Sequence, residues 1–336
     1  MTTRKGWMLW ALAAGLALGM LGAPPAEART TIKFGHYLSE DSALHKGALE
    51  FAKQVAARSK GDMEVQVFPS SQLGSLREMP GALKSGTLGV SFFDYGFLAV
   101  VRRGGDFNLL VAPFVFRDHA HVKAFFKTPI WAGIVEDFNK AGVGFRIFAH
   151  FGDRGPRQIS TKSVVVRTPA DLKGVKLRVA PIPMHLETFK AWGATPTPVD
   201  FSELFSALQQ GVVEGQDNGV DTVRQMKFYE VQKNMILLEQ SQSAIGLTIS
   251  DKVWDGLTPA QRKILEEAGA EAGVAQTRAY LEEEKTDLET LKAKGMTIIT
   301  PDREAFRKII EPILQDWDAT GKFWRKGLMK EVRGIK

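Results

Sequence analysis

Cysteine is absent from all 336 residues of this chain. Its absence excludes disulfides, thiolate metal sites, cysteine nucleophiles and a lipid anchor on a leading cysteine. The six histidines are dispersed, and the chain contains neither a G-x-S-x-G nor an H-E-x-x-H motif. No pair of carboxylates can be placed together from the sequence. These absences argue against a hydrolase, and neither a catalytic site nor a cofactor is predicted.

His119 and His121 lie closest together among the histidines. Residues two positions apart on a helix face different sides, so this spacing does not suit a metal ion. We therefore predict no metal site, and we expect both side chains to be solvated.

A long apolar run lies close to the start of the chain. Arg4 and Lys5 precede an apolar stretch over residues 7–21, and small residues follow at 26–28. This order is typical of a secretory signal, so we predict that residues 1–28 are a signal peptide and that the mature protein is periplasmic. A membrane anchor is the alternative, but Gly6 to Gly22 is only about 17 residues, at the short limit of a span, and no stop-transfer flank follows.

The excess of basic charge is small. The chain carries 44 Lys and Arg against 38 Asp and Glu, a formal charge of +6. There is no basic block and no stripe of alternating basic and aromatic residues, so a nucleic-acid partner is not predicted. A small anionic partner fits the modest excess better.

The length, with 44% hydrophobic and 24% charged residues, suits about two domains of roughly 150 residues. Strand patterns at Thr31–Gly35 and Met63–Phe68 enclose a helical pattern, and such a unit implies a parallel sheet covered by helices. We predict an α/β fold with a first domain over residues 29–152, completed by part of 245–336, and a second domain over 153–244.

The chain is expected to cross between the domains just after a strand that ends at His150. Residues 151–158 (FGDRGPRQ) combine turn formers with positive charge. Arg154 and Arg157 in this segment face either a cleft or solvent.

A long helix is predicted over residues 258–294. Thr258, Pro259 and Gln261 form a capping box with proline in the first turn. No breaker other than Gly269 and Gly273 occurs before Gly295, which permits about 35 residues and a length of about 50 Å. Such a helix is longer than one small domain is wide.

The stretch from Asp171 to Asn218 contains two candidate binding residues. Apolar residues alternate with Lys176 and Arg178, so a strand here would direct Arg178 away from the apolar face and toward a bound anion. Asn218 falls in a predicted polar turn, where its amide can donate and accept hydrogen bonds. A left-handed turn residue before Gly219 is the alternative for Asn218.

The end of the predicted strand at 88–93 supplies further candidates. In open α/β sheets ligands lie beyond the carboxyl ends of the strands, so Phe93, Asp94 and Tyr95 are candidates for a pocket. A helix N-cap is the alternative role of Asp94. Later in the chain, Ser202 is predicted to cap a helix.

With these residues in view, the chain resembles the solute-binding proteins of tripartite ATP-independent periplasmic (TRAP) transporters, the DctP-like family. The resemblance covers essentially the whole mature chain. Three segments carry it at the expected spacing: Asp171–Arg178 (DLKGVKLR), Gly193–Pro198 (GATPTP) and Glu203–Asn218 (ELFSALQQGVVEGQDN). Phe34-Gly35, His45 and Pro69–Gly74 (PSSQLG) support it.

The resemblance implies roles for the candidate residues. Arg178 stands where the family has an arginine that pairs with the solute carboxylate, a task suited to a planar guanidinium. Arg157 resembles the second arginine of the family, with Arg154 as a substitute. Asn218 matches a carboxylate-binding asparagine, although the motif here is QDNG instead of the usual ENP.

Three more positions follow from the resemblance. Phe201 matches an aromatic residue that packs on the solute, and Asp94 matches a polar position at the far end of the solute. Tyr37 and Leu76 stand where sialic-acid binders have polar contacts. This departure argues for a smaller or less hydroxylated acid.

The implied fold has two α/β domains and a long helix that spans both. The implied function is a monomeric periplasmic subunit that captures a small organic acid anion, closes around it and docks onto the membrane permease subunits. The alternatives are a binding protein that reports to a sensor and one that serves another class of transporter.

Overall fold

The computed structural model describes residues 29–336. The predicted signal peptide over residues 1–28 lies outside this part of the chain. Within residues 29–336, no helix is long and apolar enough to cross a membrane.

The described chain alternates strands and helices. The strands are β1 (Thr30–Gly35), β2 (Met63–Phe68), β3 (Val90–Asp94), β4 (Phe145–Pro156), β5 (Gln158–Thr161), β6 (Lys176–Val179), β7 (Thr195–Pro198), β8 (Gly215–Asn218), β9 (Asn234–Ile236), β10 (Gln242–Ser250) and β11 (Thr297–Ile299). The helices are α1 (Ala43–Arg58), α2 (Met79–Ser85), α3 (Tyr95–Leu98), α4 (Asn108–Val111), α5 (His119–Phe126), α6 (Pro129–Lys140), α7 (Pro183–Ala191), α8 (Leu204–Gln209), α9 (Val220–Gln225), α10 (Asp251–Asp255), α11 (Pro259–Ala293), α12 (Arg303–Thr320) and α13 (Leu328–Arg333).

The strands form two sheets. The first has the order β2-β1-β3-β10-β4, and the second has the order β11-β9-β5-β8-β6-β7. β1 runs parallel to β2 and β3, as the strand-helix-strand pattern predicts. β10 runs antiparallel to β3 and β4, so the first sheet is mixed. The α/β class is confirmed, and the domain boundaries at 152/153 and 244/245 stay a prediction.

β4 continues to Pro156, so the expectation that this strand ends at His150 is wrong. The strand remains paired with β10 through three register shifts. Gly155 adopts φ +65°, and a Cβ there would lie 1.9 Å from the Tyr280 hydroxyl oxygen. The turn formers therefore allow a close approach to α11. The chain passes into the second sheet between Pro156 and Gln158.

The long helix is confirmed as α11, with 35 residues. The predicted capping box is present, since Thr258 and Gln261 bond to each other's backbone N–H. α11 packs against α1 and β4 of the first sheet layer and against α9 near the second sheet. Glu283 on α11 pairs with Lys46 on α1 and with Arg224 on α9, at 2.6 Å in each case. The helix thus joins both halves of the molecule.

The two histidines of α5 differ in exposure, and the expectation that both are solvated is wrong for His121. The His121 Nδ1 accepts a hydrogen bond from the Arg117 N–H at 3.2 Å, and its Nε2 lies 3.0 Å from the Val332 carbonyl oxygen. Because both ring nitrogens have partners, the ring can be buried. His119 is partly exposed and lies 3.2 Å from Asp153. Within residues 29–336, no cluster of three His, Asp or Glu side chains suits a metal ion.

Candidate functional site

A small cavity lies between the two sheets, with a volume of about 50 Å³. Seven of the eight predicted site residues line it: Tyr37, Leu76, Asp94, Arg157, Arg178, Phe201 and Asn218. The remaining lining residues are Phe97, Val111, Arg154, Ala180, Ile182 and His185. Residues from both halves of the chain therefore meet around one enclosed space.

Arg178 projects from β6 and is almost fully buried. Its Nε donates to the Val199 carbonyl oxygen at 2.9 Å. Its Cζ lies 6.0 Å from the centre of the Phe201 ring. Within residues 29–336, it forms no salt bridge to a carboxylate, and burial lowers its pKa to about 10, so the guanidinium is still charged at neutral pH.

Arg157 differs from Arg178 because it has a carboxylate partner. Its Nε donates to Asp217 Oδ2 at 2.7 Å, and its Nη2 donates to the Asp217 carbonyl oxygen at 2.7 Å. Burial is the largest influence and raises the pKa of Asp217, but the charge and hydrogen bond of Arg157, together with His185 and Arg178, outweigh it and hold the pKa below its usual value. This buried pair is a neutral unit beside the cavity.

Arg154 also lines the cavity with a partner. Its Nη2 donates to the Thr222 hydroxyl, and its Nε lies 3.8 Å from Asp221 Oδ2. Both candidates for the second arginine therefore reach the same space, and each is balanced by an aspartate. Arg178 is the lining arginine that lacks such a partner within the described chain.

Asn218 lies at the end of strand β8, so the expectation of a polar turn is wrong. The strand is hard to recognise because its side chains are polar yet buried in a hydrogen-bond network. Asn218 Nδ2 donates to Gln216 Oε1 at 2.5 Å, and Gln216 Nε2 donates to Ser160 Oγ at 2.6 Å. Asn218 is not in the left-handed region, which removes the alternative of a turn residue.

Two aromatic rings form one wall of the cavity. The rings of Tyr37 and Phe201 meet edge to face, with centroids 5.4 Å apart. Phe201 begins a short 3₁₀ segment that precedes α8. The cap is Asp200, which accepts from the Ser202 N–H at 3.0 Å, and the expectation that Ser202 is the cap is wrong.

Asp94 lines the cavity and is also the N-cap of a helix. Its Oδ1 accepts from the Gly96 N–H at 2.9 Å as the N-cap of α3, and its Oδ2 accepts from the Ser243 hydroxyl. Phe93 does not line the cavity, because successive side chains of a strand face opposite ways. Its ring instead stacks on Phe97 at 5.4 Å in the core. Tyr95 likewise lies in the core, with its hydroxyl 3.3 Å from His150 Nδ1.

His185 is the polar lining residue that sequence reasoning missed. It lies in the first turn of α7, directly beyond the carboxyl end of β6, and is 4% exposed. Neither ring nitrogen has a hydrogen-bond partner in the described chain. Burial lowers its pKa to about 4, so the ring is neutral at neutral pH. The rule that ligands lie beyond strand ends, applied to β6 as to β3, would have found it.

The arrangement can hold an anion. It combines one buried guanidinium free of a carboxylate, an amide, an aromatic wall and a closed volume between two α/β halves. These features define a solute-binding protein of the two-domain periplasmic type. The sequence model of the DctP family, described as bacterial extracellular solute-binding protein, family 7, matches residues 34–320, and the chain belongs to this family.

Relatives and solved structures agree with this assignment. The chain is 32% identical to the 2,3-diketo-L-gulonate-binding periplasmic protein of Escherichia coli, over 91% of this chain and 89% of that protein. A TRAP solute-binding protein of Bordetella bronchiseptica, with density interpreted as pantoate, superposes with a TM-score of 0.85 at 31% identity and covers 92% of this chain and 100% of its own. One from a Polaromonas species bound to D-erythronate gives 0.84 at 29% identity and covers 92% and 99%. The periplasmic location predicted from the sequence is the one these relatives have.

Proposed function

We propose that this protein captures a small organic acid by its carboxylate, with Arg178 as the main partner, and delivers it to the membrane permease of a TRAP transporter. The observation that carries the proposal is the buried Arg178 guanidinium, which faces the cavity without a carboxylate of its own in the described chain. Burying such a charge unpaired is costly, and a bound carboxylate removes the cost. Asn218 and Phe201 complete this end of the site.

The charges around the cavity favour an acid with one carboxylate. Arg157 is balanced by Asp217, and Arg154 lies beside Asp221. A second carboxylate would meet arginines that already lie beside aspartates, and it would face the negative charge of Asp94. The ligands named for three of the relatives, 2,3-diketo-L-gulonate, pantoate and D-erythronate, are acids of this kind.

The size and lining of the cavity favour a small acid. One water molecule needs about 10–15 Å³ of such space, so about 50 Å³ suits a short carbon chain. Leu76, Phe97, Val111 and Ile182 make much of the wall apolar. Both features support the smaller or less hydroxylated acid expected from Tyr37 and Leu76.

Delivery rests on closure of the two halves around the solute. Residues on both sides line the enclosed cavity, so the solute enters an open form and stabilises the closed one. The protein acts as a monomer that docks onto the permease, and the solute leaves chemically unchanged. Genes for the small and large TRAP membrane subunits, found beside the gene for this protein, would support this role. Their absence there would favour a sensor partner or another class of transporter.

A thermal-shift screen tests the proposal. The panel contains monocarboxylates, dicarboxylates, keto acids, uronates and neutral sugars. A bound solute must raise the melting temperature, because it binds the folded state only. We expect one or more monocarboxylates to do so and neutral sugars to have no effect. Silence across all acids, or a response to neutral sugars alone, would overturn the proposal.

A further inference from the structure

His185 differs from the other buried histidines of the described chain in its hydrogen bonding. His36 Nε2 lies 3.0 Å from His45 Nδ1, and His121 has partners for both ring nitrogens. His185 is just as buried, yet both of its nitrogens are without a partner in the described chain. Buried polar groups are normally hydrogen-bonded, so an orphaned ring requires an explanation.

The cavity supplies that explanation. His185 lines it together with Arg178, and the two residues lie on consecutive elements, α7 and β6. The other residues that α7 and its leading turn present to the cavity, Ala180 and Ile182, are apolar. Since no group of the described chain bonds to either ring nitrogen, a solute in the cavity is well placed to supply the missing partner.

The chemistry of a neutral imidazole specifies that group. One ring nitrogen donates a hydrogen bond and the other accepts one. A hydroxyl can accept from the first kind of nitrogen or donate to the second, whichever tautomer is present. A carboxylate can only accept, and Arg178 is the better partner for it because of its charge. A methyl or methylene group would leave the imidazole unpaired.

We propose that His185 is a specificity residue that hydrogen-bonds a hydroxyl of the bound acid, and that the solute is a hydroxy monocarboxylate rather than a plain fatty acid. The proposal rests on the carboxylate-binding function proposed above and narrows its substrate class. The apolar wall of Leu76, Phe97 and Val111 limits the number of hydroxyls, since further hydroxyls would be buried there without partners.

The test compares acids that differ by one hydroxyl. The probes are matched pairs, such as 2-hydroxy-3-methylbutanoate with 3-methylbutanoate, and D-erythronate with its singly deoxygenated forms. Calorimetry measures each acid with the wild type, His185→Leu, His185→Gln and Lys190→Ala. Lys190 lies on the same helix but is exposed, so its variant is the matched control.

We expect the wild type and Lys190→Ala to prefer a hydroxylated member by more than about tenfold, because a site with an unpaired polar group rejects an analogue that cannot satisfy it. His185→Leu should bind both members of the pair alike, and His185→Gln should keep part of the preference. NMR of ¹⁵N-labelled wild type should show the His185 ring nitrogens shifting only with the hydroxylated member, a readout that does not depend on a variant folding.

The outcomes separate the two proposals. Carboxylates that bind the wild type with no preference for a hydroxyl, or a preference that survives in folded His185→Leu, would overturn the role of His185 and leave the transport function intact. A wild type that binds no carboxylate at all would overturn the proposed function and this inference with it.

Discussion

Arg178 and Arg157 show how neighbouring residues of one type acquire different properties from their partners. Both are buried and both line the cavity. Arg157 is neutralised by Asp217 at 2.7 Å, whereas Arg178 has only the Val199 carbonyl as a hydrogen-bond partner in the described chain. Removing Arg157 would therefore disturb the protein itself, whereas Arg178 is available to the solute.

Replacing Arg178 by alanine is expected to weaken solute binding by ~2 to 5 kcal/mol, because the buried carboxylate loses its charged partner. Calorimetry with an acid identified in the thermal-shift screen measures this loss. Lys176→Ala is the control, since Lys176 is a cation on the same strand but is exposed. A loss for Arg178→Ala below about tenfold, ~1.4 kcal/mol, would rule out the assigned role.

At the scale of elements, the contact between α11 and β4 depends on glycine. A Cβ at Gly273 would lie 2.7 Å from the His150 carbonyl oxygen and 3.1 Å from the Phe151 backbone. A Cβ at Gly269 would lie 2.7 Å from the Ala149 Cβ. These two helical glycines, which weaken the helix locally, let it lie directly on the strand that leads into the second sheet.

Gly273→Ala is expected to lower the free energy of unfolding by about 1–3 kcal/mol, because the backbone of β4 must move away from the new methyl group. Urea unfolding measures the change. Gly133→Ala is the matched control, since Gly133 also lies in a helix and a Cβ there meets nothing within 4 Å. It should be neutral or stabilising by up to about 1 kcal/mol. Equal effects of the two substitutions would contradict the close approach.

At the scale of the whole molecule, buried histidines make stability depend on pH. Burial, followed by the charge of His45, lowers the pKa of His36 to about 3, against about 6.5 in an unfolded chain. The unfolded state therefore binds more protons between these values, and stability falls as the pH drops below 6.5. His185, with its pKa of about 4, acts in the same direction.

We expect His36 to account for a loss of about 2 kcal/mol in the free energy of unfolding between pH 7.5 and pH 5.0. His36→Gln keeps a polar side chain but cannot titrate, so its stability should fall less steeply over this range. Urea unfolding at several pH values measures both slopes. Parallel slopes for the wild type and His36→Gln would show that His36 does not carry the dependence.

Several features follow from the sequence alone because their causes are local. The length of α11 follows from its capping box and from the breaker at Gly295. Strand alternation places Lys176 and Arg178 on one face of β6 and Leu177 and Val179 on the other, as the sequence predicts. Of the eight site residues predicted from the sequence and the family resemblance, seven line the cavity.

Other features depended on the tertiary structure because their causes lie far away in the chain. β8 and the end of β4 are strands with polar or turn-forming sequences, and only their neighbours in the sheets and α11 make those conformations favourable. Arg157 and Arg178 differ because Asp217 forms a salt bridge with Arg157 and not with Arg178. The His185 ring nitrogens have no hydrogen-bond partner because no polar group of the described chain bonds to them. The sequence by itself predicted an acid as the solute, through the family resemblance that includes Arg178, because a guanidinium is charged in any fold. The tertiary structure decided which guanidinium is free and which neutral ring faces the solute, because pairing and burial are set by residues that meet only after folding.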